Sequence, residues 1–409
     1  MMIVTGAAGA QMIAMAFMPF ITRIYGPEAF GLLGTFISVA TILMPMAALT
    51  YPIAIVLPKH DADAMKLAKL SALIALATSS IAAFILYFFG EEIASLLQAE
   101  NLVLYLMLIP LAMLFSGFHQ IAEQWAIRLQ LYRLSALVAL FQSATVNSAK
   151  IGIGLFSPVA LVLIGIQVFA SALHGGLLFW GISKTKRGVA SEGDALTIKK
   201  AASKYKDFAI YRAPQVTMNA ASVSLPVLML VFYFGPAFAG FYTLAKTIVG
   251  IPSLLLGKAV GDVLYPRISE AANKNEPLYP VVKKATLLLS LVGSIPFLIV
   301  IFFGPWLFAI VFGEEWRSAG SYARWLAGWM YITLLSTPAI KALPVLSAQR
   351  FHLIHTIVVI FIRVLALFAG YQIFSSDLIS VALYSLAGGI LNLMLVFWVL
   401  RLCWQFDRG

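Results

Sequence analysis

Charge is what this sequence has least of. Asp, Glu, Lys and Arg together make up 11% of the 409 residues, against 61% for the hydrophobic set, and the mean hydropathy is +0.94. A water-soluble globular domain is excluded, because too few polar residues remain to cover a surface facing water. There is one cysteine, Cys403, so an intramolecular disulfide is excluded and redox chemistry has no thiol pair to work with. A Walker-type glycine loop is missing, which excludes ATP-driven transport by this chain alone; no cofactor is expected. His352 and His355 stand i, i+3 with no Cys or carboxylate nearby to complete a metal site, so no metal is expected either. The loops that fall on the outer side are too short to house a catalytic domain, so an enzyme is not expected. The chain opens inside an apolar segment with no basic flank, unlike a cleavable signal peptide.

What is present is a series of apolar stretches about 20 residues long, each sufficient to cross a hydrocarbon core of roughly 30 Å as a helix. A barrel would show short alternating strands instead. The expected class is an all-α integral membrane protein with twelve spans, at 2–22, 30–57, 69–90, 102–127, 134–156, 158–181, 208–233, 238–263, 284–304, 321–345, 351–372 and 378–402. The formal charge of +11 could suggest nucleic acid as a partner, but the basic residues collect in alternate short loops. Lys59, Arg128, Arg133, Lys184, Lys186, Arg187 and Arg350 fall on one side, against Arg23 and Arg317 on the other. That asymmetry makes the bilayer the partner and places both termini in the cytoplasm.

Two segments match across the chain without gaps. YGPEAFGLLGTF at 25–36 parallels FGPAFAGFYTLA at 234–245, and KLSALIALATSSIAAFILYFFG at 69–90 parallels KKATLLLSLVGSIPFLIVIFFG at 283–304. A six-helix unit has been duplicated. The expected domains are an N-lobe over 1–181, a basic cytoplasmic linker over 182–207 and a C-lobe over 208–409. Six is an even number, so both copies enter from one side and are related by a pseudo-two-fold along the membrane normal, with the substrate cavity between them. The repeated Gly-Pro pairs have a local use: Gly26 and Gly235 can end one helix in a left-handed conformation while Pro27 and Pro236 begin the next. Pro45, Pro52, Pro110, Pro226, Pro252, Pro296, Pro338 and Pro344 fall inside expected spans, where each permits a kink.

Several cations sit in the spans rather than the loops: Lys150, Arg212, Lys246, Lys258, Arg324, Lys341 and Arg363. Arg212, Lys258 and Arg324 lie near span ends and can snorkel to headgroups. Lys246, Lys341 and Arg363 are expected deeper, facing a bundle interior or a wet cavity. Intramembrane acids are few, chiefly Glu123 and Asp262, so an anionic substrate with about two charges, such as a pyrophosphate, would supply the missing partners. The candidate substrate-binding cations are Lys246, Lys341, Arg363, Lys150 and Arg212. Glu123 is either a proton-coupling carboxylate or the neutralising partner of Lys341. Gln142, Asn147, Gln215 and Asn219 are candidate glycan contacts, although amides in membrane bundles commonly just bond across helices.

With these residues in view, ITRIYGPEAFGLLGTFISVATILMPMAALTYPIAIVLPKHDADA at 21–64 resembles the second-helix region of the Wzx-type polysaccharide transporters. YKDFAIYRAPQVTMNAASVSLPVLMLVFYFGPAFAGFYTLAKTIVGIPSLLLGKAVGDVLYPRISEA at 205–271 resembles the matching block of their second half. These are flippases for O-antigen and other lipid-linked oligosaccharides, within the multidrug/oligosaccharidyl-lipid/polysaccharide exporter superfamily. The resemblance implies a fold shared with multidrug and toxic compound extruders, two six-helix lobes in a V. It also implies transport of undecaprenyl-pyrophosphate-linked repeat units across a bacterial inner membrane, with polymerase and chain-length proteins as pathway partners. It marks Lys246, in ALAKTIVGIP, as a position where relatives commonly carry a basic residue. Relatives usually begin with a short basic segment that this sequence does not show. Three rivals are weaker. A cation-coupled multidrug exporter of the same fold would favour lumen acids, a lipid II flippase usually has two further helices, and a membrane glycan polymerase or ligase would need a large outer loop.

Overall fold

The computed structural model describes residues 2–96, 103–185, 197–274, 276–346 and 348–408. Among them there is no strand, and nine helical stretches, from Gly6–Ala47 to Asp377–Phe406, are long and apolar enough to cross a bilayer. The chain is a multi-pass membrane protein. It divides into two compact units, Met1–Ala239 and Gly240–Gly409.

The first unit begins with α1 (Met2–Ala47), which is two helices joined at Gly26. There φ is 68° and ψ 173°, a conformation a Cβ would strain, and Pro27 restarts the helix without needing a donor. The same device recurs at Gly235 (φ 100°, ψ 175°): its N–H donates back to Leu230 and Val231 carbonyls, and Pro236 opens the next helix. The second expected span does not continue to 57. It stops at Ala47, Leu49 and Thr50 turn left-handed (φ 48° and 55°), and Tyr51–Val56 form a 3-10 helix. Pro52 explains the break, since in a continuing helix it would lack a donor and press its ring on the preceding turn, whereas here it sits in the first turn. Pro110 likewise opens α4 instead of kinking a span, and Pro344 falls in the turn after α11.

The remaining elements of this unit are α2 (Asp61–Leu96), α3 (Val103–Leu106), α4 (Ile109–Arg128), α5 (Tyr132–Gly154), α6 (Ala160–Ser183), α7 (Ile198–Lys204), a π turn (Phe208–Arg212) and α8 (Ala213–Phe234). α2 starts earlier than the hydropathy suggests, with Asp61 and Asp63 in its first turn where the helix dipole favours anions. Part of the expected linker is therefore helix α7, capped by Thr197; residues 186–196 lie outside the described residues. The 3-10 segment is tied down from several directions. The Thr50 hydroxyl donates to the Phe208 carbonyl at 2.8 Å, the Tyr51 hydroxyl to Ala202 at 3.1 Å, and Arg128 donates to the Ile55 and Pro58 carbonyls while pairing with Asp61 at 2.8 Å. Beneath it, Ile55, Leu67, Ile121 and Trp125 form an apolar core. Elsewhere in the unit α1 packs along α5 and α8.

The second unit holds most of α9 (Pro236–Asn273), then α10 (Leu278–Phe312), α11 (Arg317–Ala342), α12 (Gln349–Phe374) and α13 (Asp377–Phe406). α10 and α11 touch backbone to backbone where Gly304 faces Gly320: a Cβ on Gly304 would lie 2.7 Å from the Gly320 carbonyl oxygen. The Tyr322 hydroxyl donates to Asp377 in the first turn of α13. At the opposite end the Asp407 carboxylate accepts from the Leu278 and Tyr279 amides at 2.6 and 2.8 Å, satisfying two orphan donors at the start of α10. Close by, Leu264, Ile268, Val282, Leu343 and Val399 enclose the fully buried thiol of Cys403.

Candidate functional site

Arg363 lies near the middle of α12, within an apolar run, and its side chain turns into the second unit. Its guanidinium is held between two rings, with Cζ 3.7 Å from the centroid of Trp329 on α11 and 3.8 Å from that of Tyr384 on α13. Its Nε and Nη2, and the Trp329 Nε1, are shut from solvent and have no hydrogen-bond partner among the described residues. The pocket exists because α13 carries Gly388 there, where a Cβ would sit 2.9 Å from Arg363 Nε. α9 adds Tyr242, whose ring lies 6.4 Å from that of Tyr384, and Lys246 one turn later, with Nζ 6.0 Å from the Tyr242 ring. Lys246 is close enough for the Arg363 charge to act on it.

Magnitudes decide what this arrangement needs. Taking one charge out of water costs several kcal/mol even after relaxation, while each cation–π contact returns about 0.5–2 kcal/mol. The ion pairs found among the described residues of this unit, Arg267–Glu276, Lys274–Glu270 and Arg317–Glu314, are exposed and lie toward helix ends. At the first two, which lie beyond the apolar part of α9, the Lys274 hydrogen bond holds the Glu270 carboxyl below its ordinary range. None reaches the interior. Two rings only partly offset the desolvation of Arg363, and the remainder is best met by an anion accepting from Nε and Nη2.

Within this unit, Lys341 and Arg324 line two further cavities. Lys341, expected near mid-span, occupies the last turn of α11, because that helix ends at Ala342. It lines a cavity of about 280 Å³ with Tyr265, Pro344, Gln349 and His352. A second cavity, about 440 Å³, runs between α10, α11 and α13 past Arg324, Trp325, Trp329 and Ser385. Arg324 donates to the Phe302 carbonyl at 3.0 Å.

In the first unit Lys150 on α5 donates to Gln167 on α6 at 3.0 Å, a neutral partner that leaves its charge uncompensated. Asn147, one turn earlier, is buried and donates to the Ser143 carbonyl at 2.7 Å, while Gln142 is half-buried. Arg212, Gln215 and Asn219 are all exposed and, spaced three and four apart, share one face of the π turn and α8. A face so polar on a membrane helix fits water better than lipid. Glu123 stands 3.8 Å from His119, its i−4 neighbour.

No motif in the sequence marks Trp329, Tyr242, Tyr384 and Gly388 as companions. The helix spacing of Tyr242 with Lys246 and of Tyr384 with Gly388, four residues each, does place each pair on one face.

Residues 20–321 match the family described as polysaccharide biosynthesis protein. The succinoglycan biosynthesis transport protein ExoT of Rhizobium meliloti (strain 1021) is 24% identical over 326 residues, covering 77% of this chain and 61% of that protein's own length. Among solved structures, an inward-facing multidrug resistance MATE family transporter of the MOP superfamily superposes with a TM-score of 0.77 at 11% identity, covering 98% of this chain and 96% of that one. The lipid II flippase MurJ in an inward closed conformation gives 0.72 at 13% identity, covering 99% and 90%. These likenesses establish the fold.

Proposed function

The chain belongs to the polysaccharide biosynthesis protein family, and we propose that it is a flippase carrying undecaprenyl-pyrophosphate-linked oligosaccharides from the cytoplasmic to the periplasmic leaflet of a bacterial inner membrane. Twelve spans in two six-helix lobes, 1–181 and 208–409 about the 182–207 linker, rock in alternating access with both termini in the cytoplasm. The basic bias of alternate loops supports that orientation.

One observation carries the reading: Arg363 is shut between Trp329 and Tyr384, and among the described residues its Nε and Nη2 have no hydrogen-bond partner. A pyrophosphate supplies one. Lys246 adds a second positive charge for the second phosphate. The polar face of Arg212, Gln215 and Asn219 gives the glycan a wet path, while the polyprenyl tail stays in lipid. Lys341 and Lys150 are further stations for the charged head. Polymerase and chain-length proteins would take the delivered unit. A cationic drug would be repelled by Arg363 and Lys246, which weighs against the multidrug reading.

The test is complementation of a flippase-deficient host, scored as surface glycan at matched expression. Arg363→Ala should abolish it, and Arg363→Lys should restore only part, since an ammonium keeps the charge but not the planar stack. Normal glycan from a well-expressed Lys246→Ala/Arg363→Ala variant would overturn the proposal.

A further inference from the structure

Midway along α4, His119 and Glu123 share a face one turn apart, with Nε2 3.8 Å from Oε2. α6 brings a third proton acceptor against them: the His119 and His174 rings lie 4.5 Å apart between centroids, tilted by 58°. Gly175 permits the approach, since a Cβ there would already be 3.1 Å from the His119 Cα. Both helices are apolar candidate spans, Leu104–Arg128 and Ala160–Ser183; His119 and His174 lie well inside them, and Glu123 lies one turn nearer the Arg128 end. We propose that His119, Glu123 and His174 form a one-proton binding site, and that its loading and unloading couples transport to the proton gradient; the coupling rests on the flippase reading above.

Counting charge shows why one proton is the favoured load. With a carboxylate and two neutral imidazoles the cluster is −1; one proton makes it neutral; a second leaves a net +1, either as two imidazolium rings in contact beside the carboxylate or as one imidazolium beside a neutral carboxyl. In a low-dielectric bundle the neutral state is strongly preferred, and the groups titrate as a unit. Access is open, since 27% of the His119 side chain and 48% of that of Glu123 remain exposed. A half-exposed carboxylate at that depth fits a water-filled passage and not lipid.

The neighbouring elements carry charges of their own. α1 carries Arg23 and Glu28, α2 carries Asp61, Asp63, Lys66, Lys69, Glu91 and Glu92, and α5 carries Arg133 and Lys150. Asp61 is paired with Arg128 and Lys150 is bound to Gln167. The titratable groups seen in contact within the cluster are His119 with His174 and His119 with Glu123. The described residues contain no group of three or more His, Cys, Asp or Glu arranged to hold a metal ion.

The chain has five histidines, few enough for solid-state NMR of histidine-labelled protein in lipid nanodiscs. His119→Gln and His174→Gln assign the signals. The expected result is that the two imidazoles titrate as a linked pair taking up one proton, and that Glu123→Gln moves both. Independent titration, unchanged by Glu123→Gln, would overturn the site. For the coupling, the full chain in liposomes with an entrapped pH dye is given a pyrophosphate-linked glycan lipid on one side. Wild type should move protons with substrate, and Glu123→Gln and His174→Gln should move substrate with proton flow at background. Substrate movement without protons in wild type sinks the coupling. No substrate movement, with linked titration intact, sinks the flippase reading instead and leaves the proton site standing.

Discussion

Gly388 lies directly behind the Arg363 guanidinium: a Cβ added to it would be 2.9 Å from Arg363 Nε and 2.8 Å from Trp329 Nε1. Neither atom is the loose end of a free chain, because Arg363 is clasped between two rings. Gly388→Ala is therefore expected to displace the cation, destabilise the fold by about 1–3 kcal/mol as overpacking does, and lower transport more than expression. The control is Gly250→Ala on α9, where nothing lies within 4 Å of the new methyl group and helix propensity alone acts. Thermal unfolding in nanodiscs alongside glycan complementation separates the two; equal behaviour of the variants would remove Gly388 from the site.

The left-handed breaks at Gly26 and Gly235 should each cost about 1–2 kcal/mol when a Cβ is forced on them. Gly235→Ala is the cleaner of the pair, since no atom lies within 4 Å of that Cβ and the whole penalty is backbone strain. Denaturation in SDS and detergent mixtures should show both variants losing stability by similar amounts. Retained stability in Gly235→Ala would mean that the turn relaxes.

These turns were legible because a Gly-Pro pair constrains φ locally, and a duplicated constraint is visible without knowing any contact. Charge in an apolar run likewise exposed Arg363 and Lys246. The break at Leu49–Thr50 was not legible from hydropathy, since 30–57 is apolar throughout and only the position of Pro52 signals a stop. Lys341 sits at a helix end for a related reason: α11 stops at Ala342, and where a helix stops depends on chain reversal as well as on side-chain polarity. Tyr384, Gly388 and His174 escaped because the distance between helices leaves no trace in the spacing within one. The His119–Glu123 pair, four apart, could have been found.

Arg128 ties α4 to the 3-10 segment through more than its ion pair. Removing Asp61 leaves Arg128 its carbonyl acceptors, Ile55, Pro58 and Lys59, whereas removing Arg128 strips all of them at once. Leaving a buried acceptor unsatisfied costs about 1–3 kcal/mol, so Arg128→Ala should destabilise clearly more than Asp61→Ala. Unfolding midpoints of the two single variants and the double decide it, and equal losses would show that the ion pair alone matters.

Asp407 caps α10 from the far end of the chain. Asp407→Ala should cost about 0.5–2 kcal/mol, the range of a lost helix cap, and speed hydrogen exchange at Leu278 and Tyr279. Asp407→Asn should keep protection at only one of the two, because the amides donate to different carboxylate oxygens and the Asn side chain has a single acceptor. Unaltered exchange at both amides in the alanine variant would show that water caps the helix equally well.

The single thiol of Cys403 is sealed inside the second unit. A maleimide reagent should find nothing to modify on the folded native chain, so wild type already serves as a silent background for introduced cysteines. One placed beside Arg23 and another beside Lys59 would then report, by impermeant labelling of intact cells, which end of each helix meets the outside.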